Sequence, residues 1–394
     1  MGETSKLQLP ETFLSFLEAN GLDPSIYTHR DSIPRYVRLK PGFEDLVGEI
    51  EYEINCKLEK VNWLPGFYSI PPDVQIARSM AYQQGKMYGI DAASGAAVSA
   101  LGISPGDHVL DLCAAPGAKL CMMLDLLGEK GTATGVDVAR HRLAACRTML
   151  RKYGLGQRSR LFLADGTTFS VPPITNLPCG SCADDHEETF KEWTSRRPYK
   201  ERKQEAKAKN NNFFLPQNGQ PEIIFYGQSS GVIGLKKKEL YRPLDQKDCG
   251  YDKVLVDAEC THDGSIKHIQ KFEQWGWTTL ERRVLDAERT DRNLTALQLN
   301  LLRNGFRLLK QGGTLVYSTC SDVTISLTLA QNEDVVDQFL DENSSAELQE
   351  IETAKDWPCT SGRTPKTVRF DPSTSATSGL FVAKIRKLAP KEAA

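Results

Sequence analysis

Two cysteines stand where thiol chemistry could occur. Cys260 lies in the segment DAECT and Cys320 in the segment YSTCS, and each follows a short apolar run that predicts a β-strand. A lone cysteine is most often an inert packing residue, so neither thiol by itself indicates catalysis. Two thiols at the ends of neighbouring predicted strands, the first of them three residues after Asp257, favour a reactive pair.

Carboxylates stand beyond predicted strands in the same way. The predicted strands are His108–Leu112, Thr132–Val136, Arg160–Leu163, Lys253–Val256 and Thr314–Ser318. Asp137, Asp165 and Asp257 follow the second, third and fourth of them, and helical patterns at Arg140–Tyr153 and Ala296–Leu309 lie between strands. This alternation predicts an α/β fold with a doubly wound, Rossmann-like parallel sheet, in which ligands bind beyond the carboxyl ends of the strands.

The first predicted strand leads into the turn of HVLDLCAAPGAK. Small residues at Ala114, Ala115 and Gly117 allow backbone N–H groups to approach a ligand, and the N-terminus of the following helix favours negative charge. Asp137 lies twenty positions after Gly117, the spacing at which a carboxylate accepts hydrogen bonds from ribose hydroxyls. Because Pro116 stands where a dinucleotide site has its glycine-rich turn, S-adenosylmethionine (SAM) is favoured over NAD. Alternatively, these strand-end aspartates only cap the next helix.

Methyl transfer to a pyrimidine ring uses all of these groups. C5 of a pyrimidine is a poor nucleophile, so its methylation requires covalent help. A thiolate adds to C6, C5 takes the methyl group, and loss of the C5 proton lets the thiol leave. Asp257 is placed to hydrogen-bond the base near N3, and Asp165 is expected beside the adenine of the cofactor. A base that is paired in RNA must first be flipped out of its stack.

Length and composition restrict the function classes. The 394 residues are 40% apolar, with ten cysteines and no regular cysteine spacing, which indicates a globular chain with reduced thiols. No apolar run reaches membrane-spanning length and no N-terminal address is visible, so we expect an intracellular protein of nucleus or cytoplasm, an organelle not being excluded. The net charge of −2 gives no overall attraction to RNA, which must therefore meet a local basic patch.

The chain is predicted to contain two domains. Residues 1–75 form a small α/β domain, in which Arg35, Tyr36 and Arg38 belong either to a packing cap or to an RNA platform. Residues 76–390 form the Rossmann-like domain.

The predicted Rossmann-like domain is interrupted at about residues 168–250. This interval is too long for a connection between elements of the sheet, so it predicts an insertion outside the sheet. Its basic segment Trp193–Asn212 is predicted to be a flexible loop, or alternatively an RNA clamp or import signal.

At these residues the chain resembles the Sun-type (NOP/Sun, RsmB-like) RNA cytosine-5 methyltransferases. VLDLCAAPGAK is similar to the family's cofactor motif, GVDVARHRL and ADG to its ribose and adenine segments, and DAECTHDGS and YSTCS to its two catalytic motifs. QNEDVV and SGLFVAKIRK are similar to its C-terminal signatures. The resemblance implies a SAM-dependent enzyme that forms 5-methylcytosine, with a small RNA-recognition-like domain before the catalytic one. It also implies Cys320 as the nucleophile and Cys260 as the residue that helps release the product, a ranking that the residues alone leave open.

The resemblance further implies a cofactor site. Its SAM-binding residues would be Cys113, Ala114, Ala115, Pro116, Gly117, Ala118, Lys119, Asp137, Arg142, Asp165 and Asp257. Cys113 then lines the cofactor and does no covalent chemistry, and no metal is expected. The expected partner is RNA, tRNA being favoured over rRNA because the N-terminal unit is compact, and the chain is expected to be a monomer without membrane contact.

Two departures from the family pattern leave an alternative open. Glu259 stands where the family usually has proline, which could raise the pKa of the neighbouring thiol or supply a base, and residues 322–326 lengthen the loop after Cys320. The alternative is a SAM- and RNA-binding scaffold of the same fold with impaired catalysis. A nicotinamide-dependent oxidoreductase is the other class considered.

Overall fold

The structure is a computed structural model that describes residues 9–19, 24, 27, 33–174, 189–193, 219–242, 250–261, 266–285, 293–320 and 331–389. Its helices are α1 Glu11–Ala19, α2 Val47–Ile54, α3 Met80–Gln83, α4 Ala92–Ala100, α5 Ala118–Leu126, α6 Arg140–Lys152, α7 Lys237–Leu240, α8 Ile266–Trp275, α9 Trp277–Leu280, α10 Thr295–Leu308, α11 Glu333–Glu342 and α12 Pro372–Ser375. Its strands are β1 Arg35–Leu39, β2 Glu59–Lys60, β3 Phe67–Ile70, β4 Met87–Gly89, β5 His108–Asp111, β6 Thr132–Asp137, β7 Ser159–Leu163, β8 Glu222–Tyr226, β9 Tyr251–Asp257, β10 Leu309–Thr319, β11 Ala346–Gln349, β12 Thr360–Ser361, β13 Val368–Phe370 and β14 Leu380–Lys387.

The chain divides into two compact units. The first unit comprises Met1–Gly102, Leu255–Arg303 and Thr314–Ala394, and the second comprises Ile103–Val254 and Asn304–Gly313. The long strands β9 and β10 therefore have residues in both units.

The second unit is built on a sheet in the order β9, β5, β6, β7, β8. β5, β6 and β7 are parallel, and β8 is antiparallel to β7 at the edge. The parallel strands are almost entirely buried, as their runs of apolar residues predict. Helices α5 and α6 follow β5 and β6, so these two parallel strands each end in a turn that leads into a helix. Such turns at the carboxyl ends of parallel strands are where ligand-binding residues collect.

The first unit contains two sheets. A four-stranded antiparallel sheet has the order β2, β3, β1, β4, and α2 packs on it through Ile50. The other sheet has the order β12, β13, β14, β10, β9, with β10 antiparallel to β14. Helix α1 packs away from the four-stranded sheet, since Phe13 and Leu17 form a cluster with Ile269 and Phe272 of α8.

The Rossmann-like α/β fold predicted from the sequence is confirmed, and the predicted strands occur with ends shifted by only a few residues. One expectation about the interval 168–250 is wrong: β8 lies inside it and pairs with β7, so part of the interval belongs to the sheet. Most of the basic segment Trp193–Asn212 lies outside the described residues. The domain boundaries at residues 75 and 76 stay predictions. Among the described residues, no helix is both long enough and apolar enough to cross a membrane.

Candidate active site

Cys260 and Cys320 come together in the first unit. Their Sγ atoms lie 3.0 Å apart, although the residues are 60 positions apart in the chain. Cys260 lies three residues beyond β9 and is buried, whereas Cys320 directly follows β10 and is half-buried. Neither cysteine forms a disulfide bond. One thiol of the pair is therefore shielded from solvent, and the other is partly open to it.

Asp257 is fixed by the strand that carries Cys320. It is the last residue of β9, and its Oδ1 accepts a 2.7 Å hydrogen bond from the hydroxyl of Ser318. The backbone N–H of Ala258 donates to the carbonyl of the same serine at 2.9 Å. Ser318, to which the sequence analysis assigned no role, thus holds both the side chain of Asp257 and the backbone that leads to Cys260.

The predicted cofactor turn, Cys113–Lys119, joins β5 to α5 in the second unit. Asp111 at the end of β5 is buried, and its Oδ1 accepts a 3.1 Å hydrogen bond from the N–H of Cys113. The N–H of Ala114 donates to the carbonyl of Val136 at 2.9 Å, which ties the turn to β6. The turn therefore has a fixed backbone with little side-chain bulk, as a close approach to a ligand requires.

Gly117 occupies a position that only glycine fits. Its φ is 113°, in the left-handed region, and it precedes the first residue of α5, Ala118. A Cβ placed on Gly117 would lie 2.8 Å from Sγ and 3.1 Å from Cα of Cys146. Burial raises the pKa of the Cys146 thiol well above its usual value, so an apolar, uncharged group packs against this turn.

Asp137 connects the cofactor turn to the next helix. Its Oδ2 accepts a 3.2 Å hydrogen bond from the N–H of Ala115, and its Oδ1 accepts one of 2.8 Å from Ala139, just before α6. The carboxyl is 5% exposed, and burial raises its pKa. The N-cap of α6 is Ala139 and the helix has no side-chain cap hydrogen bond, so Asp137 does not cap it; its side chain organises the turn and the residues that lead into the helix.

Arg142 and Asp165 support the same end of the sheet. The guanidinium of Arg142 donates to the carbonyl of Ala115 at 2.6 Å and lies 3.9 Å from Oδ2 of Asp137. Asp165, two residues beyond β7, is half-buried, and its Oδ1 accepts hydrogen bonds from the N–H and the hydroxyl of Thr167 at 2.8 and 2.7 Å. Arg142 thus holds the turn by a hydrogen bond to the backbone carbonyl of Ala115, and its positive charge attracts the carboxylate of Asp137.

The second unit fits an adenosine cofactor. The cradle at Gly117 excludes a Cβ, and the small side chains of Ala114 and Ala115 allow a ligand to approach the turn closely. Asp137 supplies a buried carboxylate whose remaining lone pairs can accept from ribose hydroxyls. Pro116 and Lys119 complete the turn, exposed and half-buried respectively. These are the donors and acceptors that SAM requires around its ribose.

The N-terminal residues that were candidates for an RNA platform are engaged within the first unit. Arg38 is 4% exposed and donates to the hydroxyl of Tyr88 at 3.1 Å, while Arg35 donates to the carbonyl of Val74 at 2.8 Å. Tyr36 is half-buried and donates to the carbonyl of Ala376 at 3.1 Å, and burial raises its pKa to about 12. Arg38 is therefore a packing residue, because a guanidinium at this depth does not reach a phosphate.

Two buried glutamines contact the segment around Cys260. Nε2 of Gln298 donates to the carbonyl of Glu259 at 2.7 Å, and Oε1 of Gln331 accepts from the N–H of Thr261 at 3.2 Å. The side chain of Glu259 itself is exposed. Neither role was predicted from the sequence: Gln331 has only its position in the segment QNEDVV as a signal, and Gln298 stands in an ordinary helical pattern.

Comparisons with known proteins identify the relatives of this chain. The family model described as 16S rRNA methyltransferase RsmB/F matches residues 98–174 and 237–386, more than half of the chain. Among curated relatives, the tRNA (cytosine(49)-C(5))-methyltransferase of Pyrococcus abyssi is 24% identical over 97% of this chain and 94% of its own. The 5-cytosine rRNA methyltransferase NSUN4 of Bos taurus is 28% identical over 66% of this chain. The chain spans 47% of NSUN4, and it likewise covers only part of most other relatives.

Solved structures show the same fold. A methyltransferase homologue from Pyrococcus horikoshii has a TM-score of 0.58 at 22% identity, covering 96% of this chain and all of that one. NSun6 from Pyrococcus horikoshii, solved with the SAM analogue SFG, has a TM-score of 0.58 at 16% identity, covering 93% of both chains. With its Rossmann-like fold, its cofactor turn and the extent of the family match, the chain belongs to the RsmB/F family and is an RNA cytosine-C5 methyltransferase that uses SAM.

Proposed function

We propose that this chain methylates C5 of a cytosine in tRNA through a covalent bond between Cys320 and C6 of the base. The observation that supports this most is the 3.0 Å separation of the Cys260 and Cys320 Sγ atoms at the ends of two strands. Catalysis through a pyrimidine adduct needs one thiol to attack, and a second thiol beside it can assist release. The partly open Cys320 is the thiol with access to a base, whereas Cys260 is buried behind it.

The reaction proceeds in balanced steps. The thiolate of Cys320 forms a bond to C6, and the electron pair of the C5–C6 double bond becomes available at C5. SAM, when bound, supplies the methyl group that C5 takes up. A base, water or a neighbouring side chain, takes up the C5 proton; the C–H electron pair restores the double bond, the C6–S bond breaks, and Cys320 leaves as a thiolate. Cys260 assists this last step, in which the methylated RNA departs.

Asp257 is proposed to hydrogen-bond the base near N3 and to stabilise the charge that develops in the ring. The hydroxyl of Ser318 occupies one lone pair of Oδ1 and thereby fixes the direction of the carboxyl group. A preorganised group of this kind stabilises developing charge without having to move during the reaction. Ser318 thus acts through Asp257 as a positioning residue.

The proposed SAM site comprises the turn Cys113–Lys119 with Asp137, Arg142, Asp165 and Asp257. The turn offers close approach because its residues are small, Asp137 accepts from the ribose, and Arg142 holds the carbonyl of Ala115 in place. Asp165 is proposed for the adenine edge. Its Oδ1 is already occupied by Thr167, which leaves Oδ2 for a cofactor amine.

tRNA is the proposed substrate because the relative matched over nearly the full length of both chains is named a tRNA methyltransferase. The family description names 16S rRNA, so the test must examine both RNAs. Bisulfite sequencing of tRNA and rRNA from cells with and without the protein is the decisive experiment. In cells that lack the protein, we expect one tRNA cytosine to lose its protection from conversion by bisulfite. If only rRNA cytosines lose this protection, the proposal of tRNA as the substrate is wrong. Purified protein that binds SAM but transfers no tritiated methyl group to either RNA would instead support the impaired scaffold.

A further inference from the structure

We propose that Gln331 and Gln298 are positioning residues that hold Cys260 for product release. This inference rests on the proposed function, because it assigns the two glutamines to one step of the covalent reaction. Both side chains are fully buried in the first unit, where a polar group is costly unless it is hydrogen-bonded. Nε2 of Gln298 and Oε1 of Gln331 make such bonds, whereas Oε1 of Gln298 has no hydrogen-bond partner among the described residues.

The two glutamines hold the residues on either side of Cys260. Gln298, on α10, donates to the carbonyl of Glu259 at 2.7 Å, and Gln331 accepts from the N–H of Thr261 at 3.2 Å. Nε2 of Gln298 also lies 3.5 Å from Oε1 of Gln331, so the two amides adjoin each other. The peptide units before and after the thiol are therefore fixed by a pair of adjacent side chains.

Gln331 also contacts the strand that carries Cys320. Its backbone carbonyl accepts a 2.6 Å hydrogen bond from the hydroxyl of Tyr317, and the neighbouring Asn332 accepts a hydrogen bond from the hydroxyl of Thr319. One short segment thus contacts both cysteine-bearing segments. It sets their distance from each other as well as the conformation around Cys260.

The two thiols depend on this segment to different degrees. Up to Thr319, the residue before Cys320, the backbone of β10 is fixed by antiparallel pairing with β14. Cys260 lies beyond the end of β9, where the side chains of Gln298 and Gln331 make hydrogen bonds to the adjacent backbone. Loss of a glutamine should therefore disturb release by Cys260 more than attack by Cys320.

The experiment compares Gln331→Met with the native enzyme in single-turnover reactions. The substrate is tRNA from cells that lack the protein. Methionine fills nearly the same volume but cannot accept the hydrogen bond from Thr261. The expected result is a covalent RNA–enzyme adduct that persists in denaturing gels and is released about tenfold more slowly, as the loss of a buried hydrogen bond predicts. General damage to the fold would lower adduct formation, so accumulation is specific to a defect in release.

The controls separate this inference from the proposed function. Gln338→Met alters an exposed glutamine on α11 and should release product at the native rate. Cys260→Ala should trap the adduct, and adding Gln331→Met to it should bring no further accumulation, because both changes affect one step. If Cys260→Ala traps nothing, the proposed function fails. If it traps RNA while Gln331→Met and Gln298→Met both bind SAM without accumulating adduct, this inference is overturned. Loss of SAM binding in both glutamine variants would also count against it, since the glutamines would then serve the fold.

Discussion

The Sγ atoms of Cys260 and Cys320 lie 3.0 Å apart at the ends of β9 and β10, and the carboxyl of Asp257 is bound to the serine two residues before Cys320. This arrangement gives the two thiols different surroundings, one buried and one half-buried. It is the basis for separating attack from release by mutation.

Substitution of the two thiols should have opposite effects on the adduct. Cys320→Ala should lower methyl transfer by at least about a thousandfold, because without the nucleophile no adduct forms. Cys260→Ala should instead accumulate a covalent RNA complex that survives denaturation. The measurement is gel mobility of radiolabelled tRNA together with tritiated methyl transfer. Cys359→Ala, at a free cysteine elsewhere in the chain, should behave as the native enzyme does. Trapping by Cys320→Ala would reverse the proposed roles.

The thiol pair should also be sensitive to oxidation. Closing the 3.0 Å gap to the disulfide bond length requires a movement of only about 1 Å. Diamide, which takes up the two thiol hydrogens and is itself reduced, should therefore join Cys260 to Cys320 and abolish activity, and dithiothreitol should restore it. Peptide mapping by mass spectrometry identifies the linked pair. A loss of activity that maps to other cysteines would contradict the arrangement.

SAM affinity should depend on the ionisation of Asp137. Because burial raises the pKa of this carboxyl, it holds its proton to a higher pH in the folded protein than in the unfolded chain. Ribose hydroxyls donate to the ionised form, so affinity should fall as the pH drops through the raised pKa, by up to about tenfold per pH unit. Without SAM, the same shift makes the folded state lose stability as the pH rises from the unfolded pKa to the folded one.

Calorimetric titration with SAM, at pH values below and above the raised pKa of Asp137, measures this fall in affinity. Asp137→Asn should bind SAM more weakly at neutral pH and with a flatter pH profile. If the SAM affinity of the native protein does not change with pH, the ribose of SAM does not hydrogen-bond to the carboxylate of Asp137.

Gly117→Ala should damage the cofactor turn. The added methyl group meets Cys146 at 2.8 Å, and φ of 113° disfavours any side chain. We expect a loss of about 1 to 3 kcal/mol in the free energy of unfolding, together with weaker SAM binding. Gly128→Ala is the matched control, since Gly128 has a φ of 60° but open space around its Cβ position. If Gly117→Ala and Gly128→Ala bind SAM with equal affinity, the effect of Gly117→Ala comes from backbone strain alone.

Ser318→Ala should lower kcat while leaving SAM binding nearly unchanged. The substitution removes the 2.7 Å hydrogen bond to Asp257, so the carboxyl loses its fixed direction, and we expect about a tenfold slower methyl transfer. The control is Ser373→Ala, which removes the hydroxyl of an exposed serine from the carboxyl of Asp371, also at 2.7 Å. An unchanged kcat in Ser318→Ala would show that the carboxyl of Asp257 keeps its direction without the hydrogen bond from Ser318.

The sequence predicts the parts of the site that follow from strand ends. Asp137 and Asp257 terminate their strands, and Cys260 and Cys320 lie just beyond theirs, so short apolar runs and local turn residues are enough to find them. The same logic finds the turn before Gly117. These features are local in the chain, and local pattern is what a single sequence expresses most directly.

Contacts between distant segments could not be read in this way. The pairing of Arg38 with Tyr88 buries a guanidinium that the sequence presents as a possible phosphate contact. Gln298 and Gln331 meet the Cys260 segment across large chain separations, and glutamine carries no strong local signal. β8 is short and follows a long basic interval, so its pairing at the sheet edge is a tertiary effect.

The hydrogen bond from Gln298 to the carbonyl of Glu259 bears on the departure from the family pattern at position 259, where the resemblance implies a proline. Every amino acid, proline included, offers that carbonyl, so the glutamine recognises the backbone and is indifferent to the residue type. The side chain at position 259 points to a part of the surface where it is exposed. The exchange of proline for glutamate can therefore leave the place of the release thiol unchanged, and this position is one at which evolution can alter the charge beside the site without rebuilding it.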